Sequence, residues 1–202
     1  MKKFITLILM LAIAGSASAA LVNGDFSSTT IKDDNRINDV DIGIGWATNG
    51  NGEWDIIGGA GTKTKVGARC IGQLYTDSQT GPVVLKFDYT GFIDGAGTVI
   101  LVGYTGSGAY NYQDEFTMNN NAIPSGDLYT ITTLINDTTT VSGSGTYTGA
   151  FTANGSYANY GVKVFTAANI GATIANVAIL PIPEPALLGF LGLGVLAFVR
   201  RK

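Results

Sequence analysis

Few side chains in this chain of 202 residues could do chemistry, because the sequence contains no histidine. Without histidine there are no Ser-His or Cys-His nucleophile pairs, no histidine-bound metals and no general base of the commonest kind. The single cysteine, Cys70, has no histidine to activate it and no partner for an intramolecular disulfide, so we expect it to be buried. These features exclude most nucleophilic enzymes.

An enzyme built from this sequence would have to use carboxylates. Residues 20–180 contain two glutamates, Glu53 and Glu115. A retaining glycosidase needs two carboxyl groups about 5 Å apart in a cleft, and no pattern in the sequence brings these two together. We therefore predict a protein with no catalytic residues, and a carboxylate glycosidase is the alternative.

Sugar recognition is a second possible chemistry, in which aromatic rings stack on sugars while amides and carboxylates bind the hydroxyl groups. The segment Gly103–Asp114 is rich in Gly, Tyr and Asn and lacks the alternation of a strand, which favours an exposed loop. Core packing is the alternative for the two tryptophans. The candidate ligand-binding residues are Trp46, Trp54, Tyr104, Tyr110, Tyr112 and Asp114.

Metal binding is a third possibility, since Asp33–Asp41 is the stretch richest in oxygen ligands. Calcium needs six to eight oxygens, and the spacing here matches no EF-hand loop. A solvated polar loop is the favoured interpretation, so we expect no cofactor, with a structural calcium ion as the alternative. The weak calcium candidates are Asp25, Asp33, Asp39 and Asp41.

The segments that must position these residues have the pattern of an all-β domain. Val83–Tyr89 alternates, with Val83, Leu85 and Phe87 on one face, and Thr98–Val102 is a continuous apolar run of strand length. Clusters of Gly, Asn and Ser separate the runs, and no sustained helical period occurs. The sequence predicts a jelly-roll β-sandwich over residues 20–180, whose last strand is Thr173–Leu180.

The N-terminus has the pattern of an export signal. Lys2 and Lys3 precede the apolar stretch Phe4–Ala14, and Ala17-Ser18-Ala19 supplies a small-residue cleavage site. We predict a signal peptide over residues 1–19 and a mature chain that begins at Ala20. Because both ends are basic, residues 20–180 are more acidic than the net charge of −3 suggests, so we expect no nucleic-acid partner.

The segments of the C-terminus, residues 181–202, follow one another in the order that is typical of a membrane anchor. A proline-rich linker precedes fourteen apolar residues, 186–199, and the chain ends in Arg200-Arg201-Lys202. As a helix the apolar run is about 21 Å long, shorter than a bilayer core of about 30 Å. The terminal basic side chains can extend to the membrane interface, and the run has no polar face. We therefore predict a single transmembrane helix in the inner membrane.

Pro183-Glu184-Pro185, the short hydrophobic segment and the terminal Arg200-Arg201 together resemble the PEP-CTERM sorting signal of bacterial exosortase substrates. The resemblance implies that the tripeptide is the recognition element and that the basic cluster stops transfer. It further implies that an exosortase-type enzyme processes the protein near the tripeptide. The expected location is the inner membrane first, then the cell surface or extracellular matrix.

The order of landmarks along residues 20–180 resembles galactose-binding-like and carbohydrate-binding-module jelly rolls. Those landmarks are Leu21–Phe26, Gly45-Trp46, Val83–Tyr89 and Ile174–Leu180. The resemblance implies a jelly roll that associates with extracellular polysaccharide. Where such families often hold acidic calcium ligands, this chain has Ser27 and Ala175-Asn176, which argues against that ion. A structural or adhesive matrix protein of flocs or biofilms, without a sugar site, is the alternative.

Overall fold

The computed structural model describes residues 21, 23–28, 39–43, 45–49, 53–76, 79–105, 130–157, 159–167 and 170–182. The predicted signal peptide, residues 1–19, lies outside the described residues, as do the predicted helix 186–199 and the basic tail 200–202. Within the described part of the chain, no helix has the length and apolar character needed to cross a membrane.

Nine β-strands make up the regular structure of the described residues. Strand β6 and strand β7 are much longer than the others, at 25 and 24 residues. The strands are β1 Asp39–Gly43, β2 Trp46–Asn49, β3 Trp54–Ile57, β4 Ala60–Lys63, β5 Arg69–Tyr75, β6 Gly81–Thr105, β7 Thr130–Ala153, β8 Asn159–Thr166 and β9 Thr173–Pro181.

The strands form one hydrogen-bonded sheet in the order β1-β2-β5-β8-β6-β9-β4-β3, with β7 paired to β6. The first half of β6 pairs with β9, whereas its second half, Thr98–Tyr104, pairs with β8. Between the halves the register with β7 shifts three times, at Tyr89/Phe92, Phe92/Gly97 and Gly97/Val99. The first half of β6 with β9, β4 and β3 makes one layer of the fold, and its second half with β8, β5, β2 and β1 makes the other. The β6–β7 pair therefore continues from one layer into the other. The predicted all-β, jelly-roll-like architecture is confirmed.

The main core lies between the two layers and is built from alternate residues of their facing strands. Val83, Leu85 and Phe87 contribute from the first half of β6, as their alternation predicts. The ring of Tyr147, on β7, stacks on that of Phe87 at a centroid distance of 4.9 Å. These inward rows continue on β8 with Tyr160, Val162 and Val164.

A second, smaller cluster is formed by the alternate residues that point away from the main core. It contains Cys70, Ile100, Val102 and Tyr104, all fully buried. Cys70 is buried and forms no disulfide, as predicted. The run Thr98–Val102 is continuously apolar because its residues serve both clusters, which is the pattern of a strand buried on both faces.

Candidate functional site

Residues 23–28 form a tight turn that docks on the core. Asn23 and Phe26 both have positive φ, and the Phe26 amide donates to the Asn23 carbonyl at 3.0 Å. The indole Nε1 of Trp46 donates to that same carbonyl at 2.9 Å, and the Phe26 and Trp46 rings lie 4.7 Å apart. The Val177 amide of β9 donates to the Gly24 carbonyl. This turn is a structural clasp between the first and last segments of the domain.

The aromatic residues predicted to bind sugar are buried wherever the structure describes them. Trp46 and Trp54 lie in the main core, each 1% exposed, and Tyr104 lies in the second cluster at 0%. Their rings therefore offer no solvent-facing surface on which a sugar could stack. Tyr110, Tyr112 and Asp114 lie outside the described residues, so their sugar-binding role stays a prediction.

The three calcium candidates that the structure describes belong to two different elements. Asp25 lies in the N-terminal turn, where its Oδ1 accepts the Ser27 amide and thereby lowers the pKa of the carboxyl group. Asp39 and Asp41 belong to β1, and Asp33 lies outside the described residues. Among the residues that the structure describes, no three acidic or cysteine side chains are grouped closely enough to hold a metal ion.

An ordered polar surface lies instead on the outward side of β6, β7 and β9. The Asp88 carboxylate accepts two hydrogen bonds, one on each oxygen. The Thr146 hydroxyl donates the first at 2.7 Å, and the Asn176 side-chain amide donates the second at 2.9 Å. The two hydrogen bonds, the one from Asn176 first, lower the pKa of Asp88. Lys86 and Thr148 lie beside them as an opposed, exposed pair on β6 and β7. We call Lys86, Asp88, Thr146, Thr148 and Asn176 the polar face.

A β-bulge orients one member of the polar face. The register of β9 against β6 shifts between Lys86 and Asp88, and Asn176 adopts a positive φ of 53° there. The bulge brings the Asn176 amide to Asp88. The alternation of Val83–Tyr89 already predicts that Lys86 and Asp88 point outward. No local sequence pattern predicts that Thr146 and Asn176 lie beside Asp88, because each of these two residues is more than fifty positions away from it in the chain.

A buried ion cluster connects the β3–β4 hairpin to β5. Lys63 is 0% exposed and Glu53 is 5% exposed, and Lys63 Nζ lies 3.2 Å from Glu53 Oε2. The other carboxylate oxygen, Oε1, is 3.9 Å from Arg69 Nε. Burial lowers the pKa of Lys63, and the hydrogen bond and charge of Glu53 oppose that shift only in part. This arrangement gives the Glu53 carboxylate the role of a counterion.

Gly67 closes this cluster on the side of the loop before β5. Its φ of +150° is strained for any other residue, and a Cβ atom there would lie 2.5 Å from Glu53 Oε1. The Thr64 amide also donates to the Glu53 carbonyl, at 2.8 Å. Side chain and backbone of Glu53 are therefore both held, which leaves little room for a substrate.

A second buried titratable group, the phenol of Tyr147, lies on the inward face of β7. Burial and the nearby Asp137 carboxylate raise the pKa of the Tyr147 phenol to about 12. Burial raises the pKa of Asp137, but hydrogen bonds from Thr140 and Thr139 outweigh it and leave that pKa lowered. At neutral pH the pair is therefore a neutral phenol beside a carboxylate, two side chains of the same strand.

The last strand reaches the proline-rich segment without an intervening linker. Strand β9 ends at Pro181, one residue beyond the predicted end, and Pro181 pairs with Val83. The Ile182 amide also donates to the Pro82 carbonyl at 2.9 Å. Pro183, Glu184, Pro185, Arg200 and Arg201, the predicted sorting residues, lie outside the described residues.

Comparison with protein families identifies the end of the chain. Residues 181–202 match the PEP-CTERM protein-sorting motif. The predicted resemblance at the C-terminus is thereby confirmed, and such a motif implies an exported protein that is membrane-anchored before exosortase processing. No curated protein matches the chain.

Comparison with solved structures finds carbohydrate-binding modules, among other proteins, at low sequence identity. A CBM4 structure aligns with TM-score 0.47 and 14% identity over 81% of this chain and 100% of its own. The N-terminal cellulose-binding domain of Cellulomonas fimi β-1,4-glucanase C aligns with TM-score 0.41 and 16% identity, over 69% and 90%. TmCBM61, solved with β-1,4-galactotriose, aligns with TM-score 0.33 and 10% identity, over 79% and 92%.

Proposed function

We propose that this protein is an exported, non-catalytic component of the cell surface or extracellular matrix that associates with extracellular polysaccharide. An exosortase-type enzyme would process it at Pro183-Glu184-Pro185 while residues 186–199 hold it in the inner membrane. The observation that carries the proposal is the junction at residues 181–182. The sorting motif begins where β9 ends, so processing at the tripeptide would leave every described strand intact.

The polar face is the proposed polysaccharide contact within the described residues. Its hydroxyl, amide, ammonium and carboxylate groups are the kinds that bind sugar hydroxyls, and the hydrogen bonds to Asp88 hold two of them in place. Pre-oriented groups lose less conformational entropy on binding than mobile ones. The tyrosines of the Gly103–Asp114 segment, Tyr110 and Tyr112, are proposed to add stacking contacts.

A non-catalytic role is supported by the environment of Glu53. A general acid or nucleophile must reach its substrate, whereas this carboxylate is buried against Lys63 and Arg69. Glu115, the other candidate, lies outside the described residues. The glycosidase alternative would require Glu53→Gln to lower the hydrolysis of a glycan.

A structural or adhesive matrix role without a sugar site is the second candidate. It is favoured by the burial of Trp46, Trp54 and Tyr104, which removes three of the predicted stacking residues from the surface. In this case the mature domain would contribute to flocs or biofilms through contacts between protein molecules.

Polysaccharide binding is the test that separates the two roles. We expect the full-length protein, purified in mild detergent, to bind the host exopolymer saturably and to release it to free sugar. Asp88→Ala should weaken binding about tenfold, since a hydrogen bond to a charged group contributes about 1.5–3 kcal/mol. Asp55→Ala, which removes an exposed carboxylate from β3, is the matched control and should leave binding unchanged.

Two further arms complete the assay. Binding in EDTA should equal binding in calcium, because the polar face acts without a metal ion. If Tyr110→Ala and Tyr112→Ala abolish binding while Asp88→Ala has no effect, the contact lies on the tyrosine segment instead. A folded protein that binds no polysaccharide above background would overturn the proposal and favour the matrix role.

A further inference from the structure

The long strand β7 has an edge that no other described strand covers. It pairs with β6 along its whole length and with nothing else among the described strands. An edge strand presents unpaired N–H and C=O groups, and proteins usually protect such edges with lysine, proline, bulges or short length. β7 contains 24 residues, no proline and a single charged side chain, Asp137.

The segment Gly145–Ala153 is the part of β7 on which these protections are absent. It pairs with Gly81–Tyr89 in one unbroken register, without a bulge and without a charged residue. Thr146, Thr148, Ala150 and Thr152 are exposed on its outward face. This segment is therefore a regular, uncharged template for another strand, and its outward side chains are exposed.

The sequence of the segment is close to self-complementary about Gly149. In an antiparallel pair of identical strands centred there, Thr146 would face Thr152, and Thr148 would face Ala150. On the inward side Tyr147 would face Phe151, which is a favourable cross-strand aromatic pair. Gly149 would face its own copy, where the absence of a side chain avoids a clash.

We infer that two copies of this chain associate through antiparallel pairing of their Gly145–Ala153 segments about Gly149, so that the sheet continues from one molecule into the next. The partner is a second copy because the segment complements itself, side chain by side chain, on both faces. A two-fold axis perpendicular to the sheet places the two polar faces on the same side. The association goes beyond the proposed function and does not require sugar binding.

Disulfide trapping between full-length chains in the native host tests the pairing and its register. Directly opposed residues have Cβ atoms about 4.5–5.5 Å apart, and diagonal neighbours are about 7–8 Å apart. A disulfide needs about 3.5–4.5 Å. Co-expressed T148C and A150C chains should therefore form a covalent dimer, and each variant alone should form far less. The native cysteine is buried, so it offers little background.

The control pair and a charge swap make the test specific. T130C with T133C, at exposed positions in the other half of β7, should form no dimer above background. Adding T146K to the first chain and T152K to the second sets two lysines opposite each other, and the dimer yield should fall about threefold to fivefold. Replacing T152K by T152D should restore the yield.

The competing outcomes are equally definite. The inference is overturned if co-expressed T148C and A150C chains give no covalent dimer. It is also overturned if the control pair gives as much dimer, or if the yield ignores the sign of the charges at positions 146 and 152. Because the readout involves no polysaccharide, a failure of sugar binding leaves this result interpretable.

Discussion

Glu53→Ala is expected to lower the free energy of unfolding by about 3–5 kcal/mol, the usual cost of removing one partner from a buried ion pair. The substitution leaves Lys63, which is 0% exposed, without its nearest counterion. The remaining neighbour with charge, Arg69, repels it and already acts to lower its pKa. Chemical denaturation followed by tyrosine and tryptophan fluorescence would measure the loss.

The pH dependence of that loss has a definite sign. The pKa of Lys63 lies below its ordinary value of 10.5 in the folded protein, and removing Glu53 lowers it further. Between that lowered pKa and about pH 10.5 the unfolded chain binds more protons than the native one, so stability rises with pH in that window. The destabilisation by Glu53→Ala should therefore be largest near neutral pH and shrink as the lysine is deprotonated.

Two controls separate the ion pair from simple loss of volume. Asp55→Ala removes an exposed carboxylate from the same hairpin and should change stability by about 0.5 kcal/mol or less. The double variant Glu53→Leu with Lys63→Met replaces both charges by apolar groups and should recover most of the stability. A Glu53→Ala protein as stable as wild type at pH 7 would show that Lys63 is not buried with its charge.

Trp46→Ala is also expected to lower the free energy of unfolding, by about 3–5 kcal/mol, because it opens a cavity under the N-terminal turn. The indole contacts the Phe26 ring and holds the Asn23 carbonyl. Trp46→Phe keeps a ring in the core but loses that hydrogen bond, so it should cost less, on the order of 1–3 kcal/mol. Thermal unfolding of the three proteins should show the highest melting temperature for wild type, a lower one for Trp46→Phe and the lowest for Trp46→Ala.

The same variants also decide whether Trp46 binds sugar. If it only packs the core, Trp46→Phe should leave polysaccharide binding unchanged at temperatures where the variant is folded. Unchanged stability in Trp46→Ala together with lost binding would mean that the ring is a stacking surface and would contradict its burial.

Local alternation was enough to predict the inward faces of several strands. Val83, Leu85 and Phe87 lie in the main core on the face that their alternation predicts. The same alternation in the sequence puts Tyr147 with Phe151, and Val162 with Val164, on a common face, and all four lie in the main core. These predictions succeed because a strand with one buried face must alternate, whatever its partners are. The end of β9 was misplaced by one residue, since Pro181 still pairs with Val83.

Register shifts are what local alternation could not predict. The pattern suggests that Ile131 and Ile135 share a face, yet Ile135 lies in the main core and Ile131 packs on the second cluster. The reason is the irregular pairing between Leu101 and Val102, which reverses the side-chain direction of β7 against β6. The register of β6 against β7 also shifts between Tyr89 and Val99. The local pattern therefore did not predict that β6 continues through residues 91–97.

The candidate site was less predictable than the fold because its contacts are long-range. Thr146 and Asn176 reach Asp88 across 58 and 88 residues of sequence, so no local pattern marks either of them as its partner. A tryptophan is equally typical of a hydrophobic core and of a sugar-binding surface. Only the tertiary packing shows that Trp46 and Trp54 belong to the core. The sorting signal, in contrast, was readable because its elements are consecutive in the chain.

The most direct test of the account is the intact mass of the protein recovered from the surface and matrix fractions of its native host. We expect a chain that begins at Ala20, ends near Pro183-Glu184-Pro185 and lacks the hydrophobic segment and Arg200-Arg201-Lys202. Replacing the tripeptide by three alanines should keep the unprocessed chain in the inner membrane. Surface or matrix protein that still carries Arg200–Lys202 would contradict the account.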